Sequence, residues 1–198
     1  MNLFDRIIKR AFDILLSIFL IIIASPFFIF LIFLGLYFFD LKPLYTQTRI
    51  GLHGTKFKVL KFKTMKDSEF KSTVTTLNDC RVTPYGGVLR RYKFDELPQL
   101  FNILLGSMSF VGPRPDVPGF ADCLKGEDRI ILSVRPGITG PASIKYRDEE
   151  SILALVDNPE KYNKEVIWQD KIEINKKYIK DYSFMKDCII LLKTIRSI

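Results

Sequence analysis

Asp95 and Glu96 are adjacent carboxylates, followed by Leu97, Pro98, Gln99 and Leu100. Neighbouring helical residues point about 100° apart, so the pair does not act as one symmetric dyad. Two separate roles are more natural. An Asp at a helix start lies beside exposed amides and the positive end of the helix dipole, a setting that also welcomes phosphate. A carboxylate there can attack a phosphoryl group whose charge is borne by amides, arginines and a hard cation. The same position suits plain N-capping, with Pro98 in the first turn. Residue chemistry alone leaves both readings open.

The cations that could serve such a site are Arg90, Arg91, Arg114, Arg135 and Arg147. Gly112-Pro113-Arg114-Pro115 fixes φ on both sides of Arg114 and bars that arginine from the α region. A guanidinium on so rigid a backbone suits bidentate phosphate recognition. Arg135-Pro136-Gly137-Ile138-Thr139-Gly140 reads as a type II turn at Pro136-Gly137. Plain chain reversal accounts equally well for either turn. Other chemistries are poorly supplied: the chain has one histidine, His53, and three scattered cysteines, Cys80, Cys123 and Cys188. That excludes zinc sites of ordinary spacing, argues against a disulfide framework, and fits a folded part facing a reducing cytoplasm.

The 198 residues hold one domain or one domain with an appendage, at a net charge of +8 that favours polyanionic partners. The apolar residues cluster. Between Asp13 and Asp40 lie 26 residues without a charge, enough for a bilayer-scale helix. The stretch is too long for a signal peptide and lacks a small-residue cleavage site. Ser25-Pro26 sits near its midpoint, where Pro26 removes a backbone donor and Ser25 can satisfy the freed carbonyl. Basic residues flank both ends, Arg6, Lys9 and Arg10 before and Lys42, Arg49, Lys56 and Lys58 after, pulling both ends toward the cytoplasm. A kinked crossing and a re-entrant helix-break-helix are equally compatible with these residues.

From Lys42 onward charge reaches soluble density, which sets a boundary between residues 1–41 and 42–198. Leu44 to Lys63 reads as two short extended pieces around a turn at Gly51 to Gly54, with Lys56, Lys58, Lys61, Lys63 and Lys66 as a basic strip beside the membrane. Asp67 to Asp79 reads as a polar loop, and Thr83-Pro84-Tyr85-Gly86-Gly87 as a turn. Leu97, Leu100, Phe101, Leu104 and Leu105 lie at helical spacing after the carboxylates. Further helices are expected over Glu150 to Val156, Trp168 to Tyr178 and Ile189 to Ile195, with Asn158-Pro159 as punctuation. The fold class is therefore α/β, mostly helical, with short strands and amphipathic helices.

In order and spacing these residues resemble the bacterial sugar transferases, the monotopic phosphoglycosyl transferases. The resemblance rests on Lys9-Arg10 with Asp13, Ser25-Pro26, Tyr45-x-Gln47-x-Arg49-x-Gly51-x-x-Gly54, Lys61-Phe62-Lys63-Thr64-Met65, Asp95 to Leu100, Met108 to Pro115, Arg135 to Gly140, and Ser183 with Asp187 and Thr194. It implies a re-entrant membrane helix broken at Ser25 and Pro26, with the catalytic domain on the cytoplasmic face of the bacterial inner membrane. It also implies transfer of a sugar-1-phosphate from a UDP-sugar to polyprenyl (undecaprenyl) phosphate, with magnesium as cofactor and UMP released. By the same resemblance Asp95 is the nucleophile and Glu96 its partner, the two holding the metal, with Arg90, Arg114 and Arg147 on phosphate or nucleotide. Pro113, Pro115, Pro136 and Gly137 form the turns near the site. Pro141 to Arg147 departs from the family's commoner wording, and Asn175 stands where the family often has Asp. The partners implied are the UDP-sugar, the polyprenyl phosphate and the phospholipid bilayer, with no nucleic acid; homo-oligomerisation is left open. The competing class is a membrane-tethered basic module binding anionic lipid or nucleic acid without catalysis.

Overall fold

The computed structural model describes residues 1–38, 42–66 and 81–196. The chain opens with α1 (Leu3–Phe38), which runs as one helix through Pro26. Pro26 cannot donate to the carbonyl four residues back, Ile22, and that carbonyl instead accepts from Ser25 Oγ at 2.8 Å. The serine thus fills the bond that the proline deletes, and the helical path continues without an intervening non-helical segment. By length and composition α1 is long and apolar enough to cross a membrane. Lys9, Asp13, Ser17, Phe28, Leu31 and Gly35 are its buried residues, one stripe at helical spacing. Large apolar side chains such as Leu15, Phe19, Ile22, Ile23, Phe30 and Phe33 are exposed away from that stripe.

After residues 39–41, which hold the expected domain boundary and lie outside the described residues, β1 (Leu44–Ile50) and β2 (Lys56–Phe62) pair antiparallel. The turn expected between Gly51 and Gly54 is a short 3-10 turn at Leu52–Gly54. The polar loop at Asp67 to Asp79 and Cys80 also lie outside the described residues. The turn expected from Thr83 is instead the first turn of a helix, α2 (Pro84–Arg91). Thr83 Oγ1 accepts from the Gly86 amide at 2.9 Å and Pro84 occupies the first turn, where it wastes no donor. Gly86 serves close approach here, since a Cβ there would stand 2.0 Å from the Thr64 carbonyl oxygen.

The remaining elements are α3 (Gln99–Leu105), β3 (Ser109–Val111), β4 (Gly137–Thr139), α4 (Pro141–Lys145), α5 (Glu149–Leu153), α6 (Pro159–Tyr162), α7 (Trp168–Lys180) and α8 (Phe184–Arg196). Asn158 caps α6, its Oδ1 accepting from the Lys161 amide, so the expected punctuation is a helix start. β3 and β4 are parallel. Pro136-Gly137 is therefore no type II turn: Gly137 lies in a strand and has no positive φ. Its reason to be glycine is contact, because a Cβ on it would stand 2.2 Å from the Gly112 nitrogen.

One core joins all of this. Phe28, Leu31, Ile50, Val59, Phe62, Leu89, Leu100, Ile103, Met108, Val111, Ile131, Ile172 and Ile190 belong to the same buried cluster, which thus draws on both strand pairs and on helices from α1 to α8. Buried polar contacts pin α1 to that body. Lys9 Nζ donates to Asp187 of α8, whose other carboxylate oxygen accepts from Tyr178 at 2.6 Å. Asp13 accepts the Phe110 amide at 3.1 Å. Arg10 donates to the carbonyls of Ile103 and Leu104 at 2.6 and 2.8 Å, closing the C-terminal end of α3.

Candidate active site at Asp95 and Glu96

Asp95 and Glu96 lie in a 3-10 turn, Phe94–Glu96, ahead of α3. The N-cap expected at Asp95 is not there. Pro98 has no amide to give the Phe94 carbonyl, so Leu97 donates to it instead, at 3.2 Å, and the chain tightens to i→i+3 bonding. α3 then begins at Gln99, and its buried apolar residues are Leu100 and Ile103. Phe101 and Leu105, expected on the buried face, are exposed by 39% and 79%. Lys93, which precedes the turn, takes a left-handed backbone with φ 58, a conformation that disfavours non-glycine residues and marks the turn as held by its surroundings.

The turn is held by α3 and β2. The Asn102 side chain imitates a strand edge, its Oδ1 accepting the Leu60 amide at 2.9 Å and its Nδ2 donating to the Lys58 carbonyl at 2.8 Å. This seats β2 against α3 and brings Lys61 to the carboxylates. Lys61 Nζ donates to Glu96 Oε1 at 2.8 Å, and Arg114 donates to both oxygens of Glu96. Arg114 also donates to the Ile138 carbonyl at 3.3 Å. The two glycine-proline motifs meet to make this possible: Gly112 donates to the Thr139 carbonyl and Gly137 to the Pro113 carbonyl, each at 2.9 Å. Pro113, Pro115, Pro136 and Gly137 are therefore parts of one junction that presents Arg114.

The two carboxylates differ in electrostatics. Burial opposes ionisation of Glu96, yet the charges of Arg114 and Lys61 outweigh it and hold that carboxyl well below the usual range. Burial pushes the Asp95 carboxyl above its ordinary value; Lys61 pulls it back, Glu96 pushes it further up, and Lys93 and Arg90 pull it back more weakly. Asp95 Oδ1 is buried and accepts no hydrogen bond from the described residues. A buried acceptor left unsatisfied is costly, so this oxygen is available for bonding to something that arrives. Glu96 is an engaged anion that orders cations; Asp95 keeps one buried oxygen open beside them.

Of the arginines read from the sequence, Arg90 and Arg114 lie in electrostatic reach of Asp95. Arg135 donates its Nε to the Gly106 carbonyl at 2.8 Å and helps to close α3. Arg147 is exposed between α4 and α5, and no hydrogen bond or ion pair among the described residues joins it to the carboxylates. Three further groups border the site. Lys61 was one lysine among five in the sequence, and only its register on β2 distinguishes it. Arg49 donates to Gln47 at 2.6 Å and to the Pro115 carbonyl at 3.2 Å, securing the Arg114 loop to β1. Asp116 has its carboxyl pushed up to about 7 by burial, against the pull of Lys171, Arg49 and Arg114.

No cage of three or more His, Cys, Asp or Glu side chains exists among the described residues. The arrangement does fit a magnesium ion that comes with phosphate groups, since such ions use one or two carboxylates together with substrate phosphates. The open Asp95 Oδ1 would supply one ligand of that kind, and Glu96 is the next residue.

The bacterial sugar transferase family model matches residues 4–198. The chain is 33% identical to the exopolysaccharide production protein ExoY of Sinorhizobium fredii, covering 96% of this chain and 84% of that protein. It is 37% identical to the UDP-glucose:undecaprenyl-phosphate glucose-1-phosphate transferase of Escherichia coli, covering 96% of this chain and 40% of that one. Against the UDP-N-acetylgalactosamine-undecaprenyl-phosphate N-acetylgalactosaminephosphotransferase of Aeromonas hydrophila the identity is 33%, over 96% of this chain and 43% of that protein. With its long apolar first helix, its mostly helical α/β body and a family match over nearly its whole length, the chain belongs to the bacterial sugar transferases.

Proposed function

We propose that the protein transfers a sugar-1-phosphate from a UDP-sugar to undecaprenyl phosphate, at the cytoplasmic face of a bacterial inner membrane, as a membrane step of glycoconjugate assembly. The single observation that carries this reading is the contrast between the two carboxylates: Glu96 clamped by Lys61 and Arg114, Asp95 with a buried oxygen left open beside them. Asp95 attacks the phosphorus next to the sugar. A bond forms between its carboxylate oxygen and that phosphorus, the bond to the UMP oxygen breaks, and UMP leaves with the electron pair. An oxygen of the acceptor phosphate then attacks the same phosphorus, and the acyl phosphate bond breaks to restore the Asp95 carboxylate. Two in-line displacements at one centre give ping-pong kinetics.

Lys61, Arg114 and Arg90 bear the phosphate charge, and Glu96 orients the first two. Magnesium, held by Asp95 and Glu96 together with the diphosphate, would neutralise charge developing on the leaving group. Arg147, on the exposed α4 to α5 connection, is proposed for the nucleotide, where it would engage on binding. The family relationship supports the acceptor: the relatives of Escherichia coli and Aeromonas hydrophila are named for undecaprenyl phosphate.

The re-entrant reading of α1 has its own support. A straight helix of 36 residues is about 54 Å long, against a hydrocarbon core of about 30 Å. The body grips both halves of α1: Asp187 holds Lys9, while Tyr85 donates its hydroxyl to the Leu31 carbonyl at 3.1 Å. A straight crossing would drag that body into lipid. A helix that enters and leaves one leaflet, turning at Ser25-Pro26, keeps the carboxylates at headgroup depth. The test is a panel of UDP-sugars with undecaprenyl phosphate in nanodiscs. UMP release and a phosphosugar adduct on Asp95 are expected; turnover with no adduct on Asp95, or activity unaffected by its loss, would overturn the assignment.

A further inference from the structure

From the exposed apolar side of α1 a row of aromatic rings leads to the turn that holds Asp95. Phe30, 56% exposed, stacks on Phe27 with centroids 6.4 Å apart. Phe27, the residue after Pro26, meets Phe94 edge to face at 5.0 Å. Phe94 is the residue before Asp95, in the same 3-10 turn. Tyr92, 48% exposed, stacks on Phe94 at 5.7 Å, and the Arg91 guanidinium lies 5.8 Å from the Tyr92 centroid. The row is thus apolar where it leaves α1 and cationic where it ends, since Lys93 and Arg90 act on Asp95 from the same segment. The row stays open at both of its ends, Phe30 and Tyr92.

We infer that this row is the track for the isoprenoid chain of the acceptor, guiding its phosphate to Asp95. The inference rests on the transferase reading and adds to it where the lipid tail lies. Two features select this occupant. The exposed apolar face of α1, with Ile22, Ile23 and Phe33, is continuous with Phe30, so a chain dissolved in the bilayer reaches the track without crossing water. At the other end the cations match a dianionic headgroup on a single chain, and a single file of ring contacts suits one chain rather than the two of a diacyl phospholipid. Flat rings accommodate a methyl-branched chain by dispersion along its whole length. Phe27 follows Pro26 in α1 and is the ring that carries the row from the helix to Phe94.

Two measurements on the full chain in nanodiscs test this. In the first, Phe30→Ser and Tyr92→Ser are compared with the parent protein. The KM for undecaprenyl phosphate is expected to rise about tenfold in each, with the KM for the UDP-sugar moving less than about twofold. With a short-chain isoprenyl phosphate, too short to reach Phe30, the Phe30→Ser effect is expected to vanish. An unchanged KM for undecaprenyl phosphate, or equal losses with both acceptors, would overturn the track. The second measurement does not depend on turnover. A polyprenyl phosphate bearing a photoreactive group in its chain is crosslinked and the adducts are mapped, with undecaprenyl phosphate and phosphatidylglycerol as competitors. Adducts at Phe27, Phe30, Tyr92 or Phe94, displaced by the polyprenyl phosphate alone, would support the track even if no UDP-sugar in the panel is a substrate. Adducts confined to Ile18, Phe19 and Ile22, or displaced equally by phospholipid, would overturn it while leaving the transferase reading intact.

Discussion

Lys61 Nζ lies 2.8 Å from Glu96 Oε1 and is also the strongest cation acting on Asp95. One ammonium group therefore fixes Glu96 and favours ionisation of the buried Asp95, the proposed nucleophile. Lys61→Met should lower turnover about a hundredfold, the scale for removing one preorganised charge from a phosphoryl-transfer site. It should also move the pH dependence in a definite direction. In the proposed mechanism Asp95 attacks only as the carboxylate, so activity should fall as pH drops through its pKa. Burial already raises that pKa and Lys61 opposes the rise; without Lys61 the acidic limb moves to higher pH. A pH profile of UMP release checks this, and a limb that stays put would separate Lys61 from Asp95.

Asp95→Asn separates activity from stability. The carboxyl is buried, one oxygen has no partner, and burial raises its pKa, so the native state gains nothing from the charge. The variant should lose transfer altogether while melting no lower than the parent, and about 1 kcal/mol of added stability near neutral pH is expected from the relieved desolvation. Thermal unfolding in detergent, beside an assay of UMP release, measures both. A large drop in Tm would mean that Asp95 holds the turn together.

Much of this site was legible in the sequence. The short extended pieces and turn of Leu44 to Lys63, the long apolar helix and the role of Ser25 at a freed carbonyl all follow from local chemistry, and the structure carries each of them, pairing the extended pieces as an antiparallel hairpin. Most of the failures share one cause, contact between segments far apart in the chain. Thr83 to Gly87 and Pro136-Gly137 carry the composition of turns, but Gly86 and Gly137 are small because Thr64 and Gly112 press against them. Asn102 had no signal at all, since a side chain that imitates a strand edge is visible only once β2 is beside it. Lys61 was indistinguishable from Lys58 and Lys63 until register put it over Glu96. The start of α3 was misplaced because Pro98 tightens the turn rather than opening the helix.

The pair of Lys9 and Asp187 joins the first helix to the last, across 178 residues of sequence. Both side chains are nearly inaccessible, at 8% and 2%, and Tyr178 adds its hydroxyl to the same carboxylate at 2.6 Å. Removing one member strands the other charge, so Lys9→Met or Asp187→Leu should each cost about 3–5 kcal/mol. The double variant should be less destabilised than the sum of the two, with Tyr178 left short of an acceptor. Denaturant unfolding of the four proteins in one detergent gives the coupling directly. Additive losses would mean that the pair does not act as a unit.

Pro26→Ala restores the amide that Ile22 lacks and removes the ring that crowds the preceding turn. In a re-entrant helix the residues on either side of that point must diverge, and the proline lowers the cost of their doing so. With alanine the Ser25 hydroxyl becomes redundant and the straight helix is favoured by about 3 kcal/mol, the penalty of proline in a helix interior. The variant should shift α1 toward a full crossing, bringing an N-terminal tag to the periplasmic side in a measurable fraction of molecules. It should also draw Phe27 away from Phe94, weakening use of the lipid acceptor more than UMP release from the donor. Side-specific labelling of the tag in sealed vesicles reads the first effect and acceptor kinetics the second. A tag reachable only from the cytoplasmic side in both proteins would count against Pro26 as the element that turns the helix back.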